Sequence, residues 1–143
     1  MVNVKDLMLG NFVKDKNGEI MLVGKVHRDS VADKWGGIAF DDEIDGIPMT
    51  IETLLAIGFM RVQDITDYHY YRYWDKEYKY KLDVDEGYTN SGKKWSIHID
   101  NDDCATIGSG EFDCVHELQN LVRVITRHSL PITKEMIDGL ESR

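Results

Sequence analysis

The chain predicts an α+β protein: a small SH3-like N-terminal β unit, a short helix, and an antiparallel β meander packed by one C-terminal amphipathic helix. Three observations carry this reading. Short apolar runs broken by Asn17-Gly18 and Gly24 fill the first forty residues. Period-two alternation follows, with Tyr78, Tyr80, Leu82 and Val84 against Lys79, Lys81 and Asp83, then Trp95, Ile97 and Ile99 against Ser96 and His98. Last, Val115, Leu118, Leu121, Val122 and Ile125 recur at helical spacing. Strands and helices are segregated, without βαβ alternation.

In chain order, Phe12 and Val13 lead to a turn at Lys16-Asn17-Gly18, where Asn-Gly suits positive backbone angles. The return run Glu19–His27 holds Gly24, which predicts a bulge or sharp bend. A third strand is expected in Val31–Trp35 or Gly37–Phe40, and three short bent strands point to a small barrel or half-barrel. After an acidic loop at 41–46, Thr50 is a natural N-cap and Gly58 a C′ residue, with Leu54, Leu55 and Ile57 as the buried side of a short helix. Thr133 repeats that capping chemistry before Met136 and Ile137. Tyr88-Thr89-Asn90-Ser91-Gly92 reads as an open loop, and a strand near Ala105–Ile107 is expected to end at Gly108-Ser109-Gly110. Asp113 is placed to cap the amphipathic helix, whose early Glu117 and late Arg123, Arg127 and His128 match the helix dipole. That helix is expected to pack across the meander.

At 143 residues the chain fits a single domain over 1–143, with sub-units at 1–46 and 47–143. Its 42% hydrophobic and 30% charged content is that of a globular protein with a core of its own, which needs no metal or disulfide. Cys104 and Cys114 are too sparse for a disulfide framework, so reduced thiols are expected. Lys5, Asp6 and Asn11 interrupt any leader-like apolar run, and a cytoplasmic location with no membrane partner is the expectation. A net charge of −9 opposes general polyanion binding, because phosphate neutralisation supplies most non-specific affinity for nucleic acid.

One run stands apart. Thr66–Leu82 holds six tyrosines, a tryptophan and four basic residues against three acids, so it carries +1 while the remainder carries −10. In a strand, Tyr68, Tyr70 and Trp74 point one way and His69, Tyr71 and Tyr73 the other. Tyr71, Arg72, Tyr73, Trp74 and Lys79 form the candidate binding surface, since aromatic and arginine side chains dominate interface hot spots. The expected function is a non-enzymatic binding or accessory module whose partner is a protein or a second copy. The alternative is a single-stranded nucleic-acid accessory protein of a phage or mobile element, using the same rings for stacking. The bland reading set against both is that the two faces are covered, by the helix and by the N-terminal barrel.

Three blocks carry a resemblance: Leu7-Met8-Leu9-Gly10-Asn11-Phe12-Val13, Ile47-Pro48-Met49-Thr50 with Leu54-Leu55-Ala56-Ile57-Gly58-Phe59, and His116-Glu117-Leu118-Gln119-Asn120-Leu121. In order and spacing the chain resembles a family of small uncharacterised proteins of Bacteroides-type gut bacteria and their prophages. It departs from that pattern at Val122 and Arg127, where the family has tyrosine and glycine. The resemblance implies a cytoplasmic accessory protein of a mobile element, and implies no catalytic residues.

No other constellation competes. His116-Glu117-Leu118-Gln119-Asn120 lacks the second imidazole of HExxH, and Gln119 and Asn120 are expected to hydrogen-bond neighbouring loop carbonyls instead. Asp100, Asp102 and Glu111 match three positions of a Ca²⁺ loop, but Cys104 and Ala105 break it. Asp113 beside Cys114 opposes a thiolate, and Gly108-Ser109-Gly110 lacks a following lysine for phosphate. A small hydrolase built on His98, His116 and carboxylates is the least favoured class. No cofactor, metal or catalytic residue is expected.

Overall fold

The computed structural model describes the backbone of residues 2–66, 68–87 and 89–141, and side chains as far as Gly139 apart from those at 67 and 88. The fold is α+β, with two antiparallel five-stranded sheets and three α-helices among the described residues. The residues fall into two compact units, Met1–Pro48 with Cys114–Asn120, and Met49–Asp113 with Leu121–Arg143.

In the first unit, β1 (Phe12–Lys14), β2 (Ile20–Val26), β3 (Ser30–Asp33), β4 (Ile38–Phe40) and β5 (Asp45–Gly46) pair in the order β4-β3-β2-β1-β5. Both segments offered for a third strand are strands. A 3-10 turn at Asp41–Glu43 precedes β5, which returns to pair with β1 through Val13 and Gly46. A meander whose last strand comes back to the first is the connectivity of an SH3-like unit. Gly24 sits at the register break between Val23 and Lys25, and a Cβ there would lie 3.0 Å from the Lys34 backbone. Val4, Leu7, Val13, Met21, Val23, Val31, Ala39 and Ile44 form the core.

The first half of α2 (Val115–Thr126) also belongs to this unit, and amide side chains hold it there. The Phe12 backbone N–H donates to Gln119 Oε1 at 2.9 Å, while Gln119 Nε2 donates to the Gly10 carbonyl at 2.9 Å. Asn11 Nδ2 donates to Asn120 Oδ1 at 2.8 Å, and Asn120 Nδ2 reaches the Asp6 carbonyl at 2.9 Å. Asn11 Oδ1 in turn accepts the Met8 N–H. Asn11 is buried, so its bonds to Asn120 and to the Met8 N–H satisfy a side chain that would otherwise be costly to desolvate.

The second unit begins with α1 (Ile51–Ala56), capped as the sequence implies: Thr50 Oγ1 accepts the Thr53 N–H at 3.1 Å, and Gly58 takes φ +109. Leu54 and Ile57 are buried but Leu55 is exposed, because a six-residue helix presents one narrow strip and Leu55 lies about 100° away from Leu54. The sheet is a simple meander of β6 (Met60–Gln63), β7 (His69–Asp75), β8 (Tyr80–Glu86), β9 (Trp95–Asp100) and β10 (Thr106–Phe112). α3 (Lys134–Glu141) closes the chain, with Thr133 Oγ1 accepting from Met136 at 3.4 Å.

Three expectations need correction here. Tyr78 lies in the β7–β8 turn rather than in β8, because the strand begins at Tyr80. β10 runs through the glycines instead of ending at them. Their missing side chains make room for α2: a Cβ on Gly108 would sit 2.6 Å from Ile125, and one on Gly110 2.5 Å from Leu121. Asp113 does not occupy the N-cap position. Cys114 does, since its carbonyl accepts the Leu118 N–H, while Asp113 Oδ1 accepts the Lys94 N–H at 2.7 Å. The loop expectation at Tyr88 falls outside the described residues; Thr89–Gly92 is loop.

Candidate docking face of the second sheet

Strand register sorts the meander into two faces. Tyr71, Val84, Ile97 and Gly110 form one inner row, and Tyr73, Leu82, Ile99 and Gly108 the next. Leu121 and Ile125 of α2 fill the spaces over the two glycines, while Trp95 is fully buried with its Nε1 donating to the Met49 carbonyl at 3.2 Å. Rows of the opposite parity face outward: Met60, Arg72, Asp83, His98 and Ser109, then Trp74, Lys81, Asp100 and Thr106.

Each residue of the sequence-derived surface now has a place. Tyr71 is buried, its ring meeting Trp95 edge-on at 6.3 Å. Tyr73 packs on Phe59 at 5.5 Å and against Gly58, and burial pushes its phenol above the ordinary value. Both therefore serve the inner layer, because alternation turns them from the rings on either side. Arg72 and Trp74 lie on the outer face, with Trp74 43% exposed. Lys79 is exposed in the hairpin turn at φ +61, away from the outer rows. The structure thus brings together Arg72 and Trp74 and separates them from the other three.

Tyr68 and Tyr70 join them instead. The Arg72 guanidinium grips Asp83 through two bonds, Nε to Oδ1 at 2.8 Å and Nη2 to Oδ2 at 3.1 Å. It lies 5.2 Å from the Tyr70 ring centroid, and Nη2 also donates to the Tyr70 hydroxyl at 3.1 Å. The bond to Asp83 raises the arginine's already high pKa, so it is a fixed cation. Tyr68 donates to Asp85 Oδ1 at 2.5 Å, and its ring lies 6.3 Å from that of Tyr70. Lys81 pairs with Asp100 at 3.6 Å, and Asp100 also accepts from Thr106 Oγ1 at 2.8 Å. A shallow hollow of about 340 Å³ lies among Tyr68, Tyr70, Asp83, Asp85, His98 and Asp100. Sequence alternation already grouped Tyr68, Tyr70 and Trp74; the cross-strand carboxylates needed the register.

The discounted constellations are also placed. Asn120, where a zincin would carry its second imidazole, has both amide atoms engaged with Asn11 and Asp6. Among the described residues no group of three or more His, Cys, Asp or Glu side chains is arranged to hold a metal ion. His116 is buried in the first unit, packed at Gly46 with Cys114, whereas His98 is exposed on the second sheet. Asp100 belongs to β9 and Glu111 to β10, so the partial Ca²⁺-loop spacing spans a strand pair. Glu111 accepts the N–H groups of Asn90 and Ser91, and hydrogen bonding from the Ser91 side chain first, then from the Asn90 N–H, holds its carboxyl below the usual carboxylate range.

No family model matches the sequence, and no curated protein or solved structure matches it either. No helix among the described residues is long and apolar enough to cross a membrane.

Proposed function

We propose that this chain is a non-enzymatic, cytoplasmic protein-binding module whose docking surface is the outer face of the second sheet, centred on Tyr68, Tyr70, Arg72 and Trp74. One observation carries the reading: a strand of aromatic side chains and arginine lies partly exposed on that face, with the arginine already fixed by Asp83 and Tyr70. Preformed side chains lose little rotamer freedom on binding, and Tyr, Trp and Arg are the residue types that supply most interface energy. The accessory role in a phage or mobile element remains part of this proposal and rests on the resemblance of the three sequence blocks.

Single-stranded nucleic acid is disfavoured at the same rings. Arg72 and Lys81 supply two positive charges on that face, while Asp83, Asp85 and Asp100 supply three negative ones. A phosphate backbone would meet net repulsion there.

The test is affinity capture from native lysate with the wild-type chain, Tyr70→Ala and Trp74→Ala, each with and without nuclease. A protein captured by the wild type, retained after nuclease and lost with both variants supports the reading. Capture that disappears on nuclease treatment, or that both variants retain in full, refutes it.

A further inference from the structure

A tyrosine ring and an aspartate from the next strand occur twice on the outer face of the second sheet. In the first instance, Tyr70 and Asp83 enclose the chain's own guanidinium, that of Arg72. Tyr68 and Asp85, each two residues along from Tyr70 and Asp83, repeat the ring and the carboxylate beside the same hollow. The Tyr68 hydroxyl donates to Asp85 Oδ1, but among the described residues no cation pairs with Asp85. The second instance thus has the walls of the first without its arginine.

The charge around that hollow is negative on a full count. Residues 60–112, which span the whole sheet and its turns, hold seven basic and eleven acidic side chains, a balance of −4. On the outer rows of the strands Arg72 and Lys81 stand against Asp83, Asp85, Asp100 and Glu111. Both cations are taken up internally, Arg72 by Asp83 and Lys81 by Asp100. Glu111 is occupied with the N–H groups of Asn90 and Ser91. Asp83, Asp85 and Asp100 line the hollow, and among the described residues no lysine or arginine does.

We infer, on the docking reading above, that the outer face receives a basic segment of the partner protein and that an arginine of that segment enters the hollow. Its guanidinium lies against the Tyr68 ring and donates to Asp85, as Arg72 does with Tyr70 and Asp83. A planar guanidinium suits both contacts at once, since it stacks on aromatic faces and offers paired N–H donors to a carboxylate. The negative sheet draws a basic segment toward it and turns an acidic one away.

The experiment is a titration of the full ¹⁵N-labelled chain with a short synthetic peptide of Gly, Ser and Arg, beside a counterpart in which Gln replaces Arg. Saturable shifts clustered at residues 68–72, 83–85 and 98–100 are expected for the Arg peptide alone. Asp85→Asn and Tyr68→Leu should each weaken its binding about threefold or more. Glu77→Gln, the same charge change placed in the β7–β8 turn, should leave it unaltered. Equal binding of the Gln peptide, shifts centred elsewhere, or an equal loss with Glu77→Gln would overturn the inference. No shifts at all, with partner capture still dependent on Tyr70 and Trp74, would overturn it and leave the docking reading standing. No shifts together with capture indifferent to those two residues would overturn both.

Discussion

The two faces of β7 draw on one vocabulary and come to opposite ends. Tyr71 is buried against Trp95 and Tyr73 half-buried against Phe59 and Gly58, whereas Tyr70, Arg72 and Trp74, one residue out of step, lie on the opposite face toward solvent. Nothing in composition separates the sets; the pleat does, since successive side chains leave a strand on opposite sides. Aromatic content therefore marks a region of interest, and parity within it decides which rings build the core and which remain available.

The comparison can be broken most forcibly from the inside. Tyr71→Ala should cost about 3–5 kcal/mol, as for other buried aromatic truncations, whereas Trp74→Ala on the outer face should stay within roughly 0.5 kcal/mol. Urea denaturation of the two variants checks this, and equal losses would mean the faces are misassigned. Next in size, Gly110→Val pushes a side chain into Leu121, whose Cδ2 would lie 2.5 Å from the new Cβ. An overpacking loss of about 1–3 kcal/mol is expected in the same assay. Ser109→Val, on the outer parity of the same strand, is the matched control and should be near neutral.

A smaller effect of opposite sign comes at the end of α2. Arg127 occupies the left-handed region at φ +65, with its N–H bonded to the Arg123 carbonyl. Arg127→Gly removes a steric penalty of about 1–2 kcal/mol at the expense of about 0.5–1 kcal/mol of backbone entropy. The melting temperature should therefore rise slightly.

The smallest expected change is acid-specific. Hydrogen bonds from the Ser91 side chain and then from the Asn90 N–H hold the Glu111 carboxyl below the ordinary glutamate range. A depressed carboxylate contributes stability above its unfolded pKa and loses it as pH falls through the folded one. Amide exchange at Asn90 and Ser91, corrected for intrinsic rate, should speed up only below the usual Glu range near about 4.3. Exchange unaffected by Glu111→Gln at neutral pH would show that the carboxylate does not hold the loop.

Much of the fold was legible because local chemistry and tertiary environment agreed. Thr50 caps α1, the Trp95–Ile97–Ile99 alternation is β9, and Val115, Leu118 and Val122 are the buried stripe of α2. Legibility failed where the decisive partner was distant in sequence. Gly108 and Gly110 read locally as a strand-ending turn, yet their absent Cβ atoms serve Ile125 and Leu121. Gln119 and Asn120 were legible as amides seeking carbonyls, but the sequence did not say that Gly10 and Asp6 supply them. The candidate surface was half legible: alternation separated the rings correctly, while Asp83 and Asp85, which fix Arg72 and Tyr68, entered only through strand register.

The central claim is that the outer face of the second sheet is a protein-docking surface while the inner face is structure. Its most direct measurement is partner capture by Tyr70→Ala/Trp74→Ala, alongside a wild-type chain and circular dichroism of both. The account predicts an unchanged spectrum and melting curve, with the nuclease-resistant protein partner lost. Full capture by the double variant, or loss of capture only together with loss of fold, would contradict it.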